Sequence, residues 1–236
     1  MIKLINCQDP HTWRGKIFLT FDLDWCHDEV LRYLLDSLEQ RNLSATFFVT
    51  HQTDLLERMR NNSQFELGIH PNFNYLLNGD FRYGKTFQEV ISYYLQIVPE
   101  ACSVRSHSIT QNSQIVNHFR SVGLTHCCND FIPTNASILL KPWNLLNGAI
   151  SKVPYFWEDD IFFANQDKDW DISNIYRSKG LNVFDFHPIH IFLNTIDCKH
   201  YEKCRPYLQD PEQLKFGKSL QPGVETFFQN LLEFMS

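Results

Sequence analysis

Two carboxylates end the run IFLTFDLDW, Ile17 to Trp25, as Asp22 and Asp24. Residues two apart on a strand face the same side. Like charges held that close are costly unless a cation sits between them. The pair is therefore either a strand end in solvent or half of a site. A second candidate is GIHPNFN. Pro71 suits the first turn of a helix, which puts His70 and Asn74, four apart, on one face where they could grip one ion. The plainer reading is a helix cap followed by a turn residue. VRSHS holds Arg105 and His107, and YFWEDD holds Trp157, Glu158, Asp159 and Asp160. FDFHPIH holds Asp185, His187 and His190. Taken singly, the arginine could pair with a surface acid, the acidic run could be a solvated turn, and a histidine could be a satisfied core residue.

What joins them is their position. Each follows or ends an apolar, β-favouring run: Ile17–Phe21, Ala45–Thr50, Phe65–Ile69, Cys102–Ser106, Leu124–Cys128, Ser151–Trp157 and Leu181–Phe186. Helical patterns separate these runs. The first has Val30, Leu31, Leu34, Leu35 and Leu38 at helical spacing, and a later one stops at Pro99. Strands alternating with helices predict a parallel sheet, and about seven such units suffice to close a barrel. In parallel α/β folds the carboxyl ends of the strands share the face that carries the site. The carboxylates, imidazoles and arginine are thus expected to converge. The stretch Asn129 to Asn147 shows no clear pattern.

The chain has 236 residues, 43% hydrophobic, with a formal charge of −6. That length and content suit one domain over 1–236. No Lys/Arg run stands out, which argues against nucleic acid and anionic membranes as partners. No window approaches the roughly 18 apolar residues of a membrane span. The opening MIKLINCQDPHTWRGK lacks the features of a signal peptide, so a cytoplasmic location is expected. Seven irregularly spaced cysteines read as reduced thiols, and CKHYEKC (Cys198 to Cys204) reads as a polar loop rather than a metal site. Oligomeric state is left open.

The motifs resemble those of the polysaccharide deacetylases, the NodB-type carbohydrate esterases. TFDLDW resembles that family's first motif, GIHPNFN its His-x-x-x-His metal motif, and VRSHS its Arg-x-Pro motif. FDFHP resembles the strand that delivers the late catalytic histidine, and YFWEDD is a looser match to the acidic–tryptophan motif. Order and spacing agree from about Ile17 to His190. IHPNFN, VRSHS and HPIHIFLNT are closer still to the WbmS-like branch found with O-antigen and surface-polysaccharide biosynthesis.

The resemblance implies a distorted (β/α)7 barrel and one divalent metal ion, zinc, acting on a small-molecule or glycan substrate. It implies a hydrolase that removes an N-acyl group, acetyl first of all, from a sugar or from a nucleotide- or lipid-linked sugar. It assigns Asp22 as general base, Arg105 as the group that holds Asp22, and His187 as general acid. Asp24 and His70 become metal ligands. Asn74 stands where the family has a second metal histidine, and His107 where it has proline, so either could complete the site. Trp157, Asp159, Asp185 and His190 are assigned to the substrate wall, with Asp159 or Asp185 also able to orient His187. Three rivals remain: a non-catalytic sugar-binding barrel, a hydrolase of another C–N bond such as a cyclic amide, and a glycosyltransferase using the Asp-x-Asp pair.

Overall fold

The computed structural model describes residues 1–164 and 171–235. The strands are β1 (Ile17–Asp22), β2 (Ala45–Val49), β3 (Phe65–Ile69), β4 (Ser103–Val104), β5 (His126–Cys127), β6 (Trp143–Leu145), β7 (Ile150–Lys152), β8 (Trp157–Glu158) and β9 (Asn182–Phe186). The helices are α1 (Asp28–Glu39), α2 (Leu55–Arg60), α3 (Asn74–Leu77), α4 (Phe87–Ile97), α5 (Ser113–Ser121), α6 (Asp159–Ala164), α7 (Ile172–Ile175), α8 (Pro188–Leu193), α9 (Cys198–Cys204), α10 (Pro211–Gly217) and α11 (Val224–Met235).

Among the described residues all strands lie in one sheet of order β6-β7-β5-β4-β3-β2-β1-β9-β8, and only the β6–β7 pairing is antiparallel. β1, β2, β3 and β9 are buried along almost their whole length and largely apolar, because strands of a covered parallel sheet are buried on both faces. α1 lays Val30, Leu31, Leu34, Leu35 and Leu38 on that sheet, as their spacing predicts. Its first turn is capped by His27, whose Nδ1 accepts from the Glu29 amide at 3.1 Å.

The sheet curls until its two sides meet. Residues 150–158 run as one bent stave: β7 pairs with β5, Tyr155 bridges to Phe131, and β8 pairs with β9. The bridge is made by the Ile132 amide on Tyr155 O at 2.9 Å and the Tyr155 amide on Asp130 O at 3.0 Å. β1, β2, β3, β4, β5, this stave and β9 then form a ring of seven, the distorted (β/α)7 barrel that the resemblance implies.

Three expectations change. The run Ser151–Trp157 is two short strands rather than one, because Pro154 between them has no amide to donate to a ladder. β6 is an added antiparallel strand on β7, in the stretch without a sequence pattern. Cys198–Cys204 is a helix, with Asp197 Oδ1 accepting from the His200 amide at 2.7 Å.

Candidate active site

The barrel interior is charged. Thr20 and Asp22 share the inner side of β1, and Thr20 is in register with Asp185 of β9. Arg105, following β4 and 1% exposed, reaches across to all three. Its Nη1 donates to Asp22 Oδ1 at 3.0 Å, to Thr20 Oγ1 at 3.1 Å and to the Asp185 carboxylate. Its Nε donates to Cys128 O at 3.2 Å. The guanidinium lies between the rings of Phe48 and Tyr155, 4.5 and 4.3 Å from their centroids. Burial opposes the charge on Arg105, but Asp185 and Asp22 outweigh it and raise its pKa. Two acids share one arginine. Burial pushes the Asp185 carboxyl well up, Arg105 pulls it down, and Asp22 pushes it up again.

One layer outward, at the carboxyl ends of the strands, three donor atoms form a triangle. Asp24 Oδ1 is 3.3 Å from His70 Nε2 and 3.3 Å from His107 Nδ1. His70 Nε2 is in turn 3.3 Å from His107 Nδ1. Tetrahedral zinc with bonds of about 2.0–2.1 Å separates its ligands by about 3.3 Å. One carboxylate oxygen and two imidazole nitrogens are also a donor set that zinc favours. The residues therefore fit a divalent ion. Burial pushes the Asp24 carboxyl up, but the His107 and His70 rings prevail and hold it well below the usual range. Burial pushes His107 down, and Asp24 more than reverses it. Asp22 Oδ1 lies 3.6 Å from His70 Nδ1, on the inner side of the triangle.

His187 approaches from the other side. Asp159, fully buried at the start of α6, accepts from His187 Nδ1 at 2.7 Å through Oδ1 and from the His187 amide at 2.7 Å through Oδ2. This fixes the tautomer and points Nε2 outward, 3.5 Å from Asp24 Oδ2. Burial opposes charge on His187, but Asp159 overcomes it and the imidazole titrates well above its ordinary value. Burial pushes the Asp159 carboxyl up to about 6 despite His187.

Asp24, His107, Asp160 and His187 line two adjoining cavities of about 240 and 680 Å³. The smaller reaches inward past Asp22 and His70 to Tyr155 and Glu158. The larger opens between Trp25, Tyr75, Tyr201 and Arg205. These four side chains thus sit at the seam of a two-lobed cleft.

The structure brings together Asp22, Asp24, His70, Arg105, His107, Asp159, Asp185 and His187. It corrects three assignments to the substrate wall. Trp157 is 3% exposed, stacked on Phe227 of α11 with ring centroids 4.6 Å apart, and belongs to the core. Asp185 is buried under Arg105 and Asp159 behind His187, so neither reaches the cleft. His190 does line the larger lobe, with Nδ1 3.2 Å from Thr195 Oγ1; burial and His187 hold its pKa well below ordinary. Asn74 lies beside the triangle, its Nδ2 donating to Ser108 Oγ at 3.0 Å. One residue of the acidic run, given no role by the resemblance, also reaches the cleft. Glu158 lines the smaller lobe and accepts from Tyr155 Oη at 3.0 Å. Burial and the neighbouring Asp160 push its carboxyl up to about 8.

A barrel with carboxylates and imidazoles gathered at its strand ends is a framework suited to hydrolytic chemistry. The WbmS-like polysaccharide deacetylase family matches residues 19–205. A Bordetella bronchiseptica protein named as a candidate polysaccharide deacetylase of O-antigen biosynthesis (WbmS) is 42% identical, with a TM-score of 0.91 over 99% of this chain and 96% of that one. The 4-α-glucanotransferase of Thermococcus litoralis shares the barrel alone, at 11% identity and a TM-score of 0.51, over 92% of this chain and 38% of its own. No curated protein matches. The chain belongs to the WbmS-like polysaccharide deacetylases, hydrolases of amide bonds in polysaccharides. Among the described residues, no helix is long and apolar enough to cross a membrane.

Proposed function

We propose that the chain is a zinc-dependent deacetylase that removes the N-acetyl group of a sugar in surface-polysaccharide biosynthesis. The observation that carries this reading is the triangle of Asp24 Oδ1, His70 Nε2 and His107 Nδ1, each edge 3.3 Å, with Asp22 on one side and His187 on the other. The relative named for O-antigen biosynthesis supports the substrate class.

Asp24, His70 and His107 would hold the ion, and the bound cation would supply Lewis acidity toward the amide carbonyl and toward water. The chain's own residues do the rest. Asp22, fixed by Arg105, accepts the proton of the attacking water. Arg105 touches no substrate; it orients Asp22 from inside the barrel. His187, charged because Asp159 stands behind its Nδ1, delivers a proton through Nε2 to the departing nitrogen. The acyl-bearing sugar occupies the seam of the cleft, and the remainder of the substrate extends into the larger lobe between Trp25, Tyr75 and Tyr201.

The test combines elemental analysis of untagged protein with acetate release from a panel of N-acetylated saccharides. Wild type should hold about one zinc, and Asp24→Ala should lose both zinc and turnover. Asp22→Asn should keep zinc and lose about two to four decades of turnover, the usual contribution of general acid–base catalysis. Full activity in either variant refutes the role assigned to it. Saccharide binding without turnover in zinc-loaded wild type would favour the sugar-binding rival.

A further inference from the structure

His107 reaches the triangle from an unusual turn. Ser108 has φ 54 and ψ 28, and Ile109 has φ 46. The left-handed region is costly for any L-residue other than glycine, and a β-branched residue there is an outlier. Such a conformation persists only where its surroundings over-determine it, and it concentrates at functional sites. Here the turn is held from outside at both of its ends, at His107 and at Ser108. Asn129, 1% exposed, accepts from the Ser106 amide at 2.8 Å through Oδ1. Its Nδ2 donates to Ser106 Oγ at 3.0 Å and Thr110 O at 3.3 Å, so one buried amide closes both ends of the turn. The His107 amide donates to Pro71 O at 3.0 Å, tying the turn to the residue after His70.

The middle of the turn has one further tie. Asn74 Nδ2 donates to Ser108 Oγ. Asn74 is itself placed by Asn72, whose Oδ1 accepts the Asn74 amide at 2.9 Å. Glycine would adopt φ 54 at lower cost than serine but would offer Asn74 nothing to hold.

Resting on the zinc reading above, we infer that Asn74 is a positioning residue, which acts through Ser108 to keep the 107–109 turn left-handed and the His107 imidazole at the third corner. The third ligand then comes from the turn after β4, and the residue four after His70 serves as its latch. Groups that orient metal ligands from behind typically change metal affinity 10- to 100-fold when removed.

Zinc dissociation constants decide the matter, read by competition with a chromophoric chelator on protein stripped of metal and titrated with zinc alone. Asn74→Ala and Ser108→Ala should each weaken zinc 10- to 100-fold, and the double variant no further, since both remove one contact. Ser108→Gly removes the same hydroxyl at a φ glycine tolerates and serves if Ser108→Ala misfolds. His107→Ala should weaken zinc more than any of them. Zinc loss in Asn74→Ala with none in either Ser108 variant would make Asn74 a ligand and overturn the proposal. Unchanged affinity in all latch variants, or in His107→Ala, would overturn it as well. Wild type that binds no zinc overturns the zinc reading and the latch together.

Discussion

Replacing Asp159 by asparagine isolates one charge. The amide keeps the shape of the side chain and an acceptor for the His187 backbone, but removes the carboxylate 2.7 Å from His187 Nδ1. With charge centres about 4 Å apart and an effective dielectric of about 20, that attraction is worth about 4 kcal/mol. At about 1.4 kcal/mol per pH unit this is close to three units of imidazole pKa. The remaining acids, Asp24 and Asp160 among them, would then oppose the burial that pushes the ring down with less force, so His187 in the variant should titrate well below its wild-type position. A general acid must be protonated, and the imidazolium exists below its pKa. The alkaline limb of activity should therefore move to lower pH by about two to three units. In wild type the raised pKa also contributes stability that is complete below about pH 6.5 and is lost as pH rises through the folded value. The direct assay is a histidine-resolved NMR titration of metal-free wild type and Asp159→Asn. A His187 that titrates within half a unit in both proteins refutes the reasoning, since the carboxylate would then not be what holds the proton.

Arg105→Met should destabilise the fold by about 3–5 kcal/mol, because it strands two buried carboxylates, and that is a large part of the ~5–15 kcal/mol available to a domain. Burial already pushes Asp185 up, so its protonated form suits the fold. The deficit against wild type should be smallest at pH 5 and grow toward pH 8, and denaturant titrations that show the same deficit at both would contradict this. Trp157→Ala should cost about 3–5 kcal/mol of stability through the cavity left against Phe227, with zinc affinity unchanged. Full stability with a raised KM would instead return Trp157 to the substrate wall.

The barrel was legible because parallel strands covered on both faces read as apolar runs and the helices between them keep a 3.6-residue period. The strand-end rule then predicts which polar residues converge, and the structure brings Asp22, Asp24, His70, Arg105, His107 and His187 together. β6 was not legible. Its residues Trp143, Asn144 and Leu145 are all exposed, so no buried face imprints a pattern on them. β4 and β5 have two residues each, shorter than the β-favouring runs Cys102–Ser106 and Leu124–Cys128 that announce them.

The misassigned tryptophan shows where a strand-end rule needs parity as well. β8 pairs with β9 so that Trp157 matches Phe184 and Glu158 matches Asp185. Asp185 faces the barrel interior, because Arg105 and Thr20 hold it there. Residue Phe184 therefore faces the helices, and Trp157 faces them too, against Phe227 of α11. Glu158 then must turn inward, which is why it and not the tryptophan lines the cleft. Side was thus fixed by a register that only the tertiary pairing supplies; a one-residue slip would have exchanged the two roles. The same holds for Asn74 and His107. Both lie within reach of His70 along the chain's folded path. What places His107 at a corner of the triangle and Asn74 beside it is the left-handed turn at Ser108 and Ile109, a backbone choice that neither residue type announces.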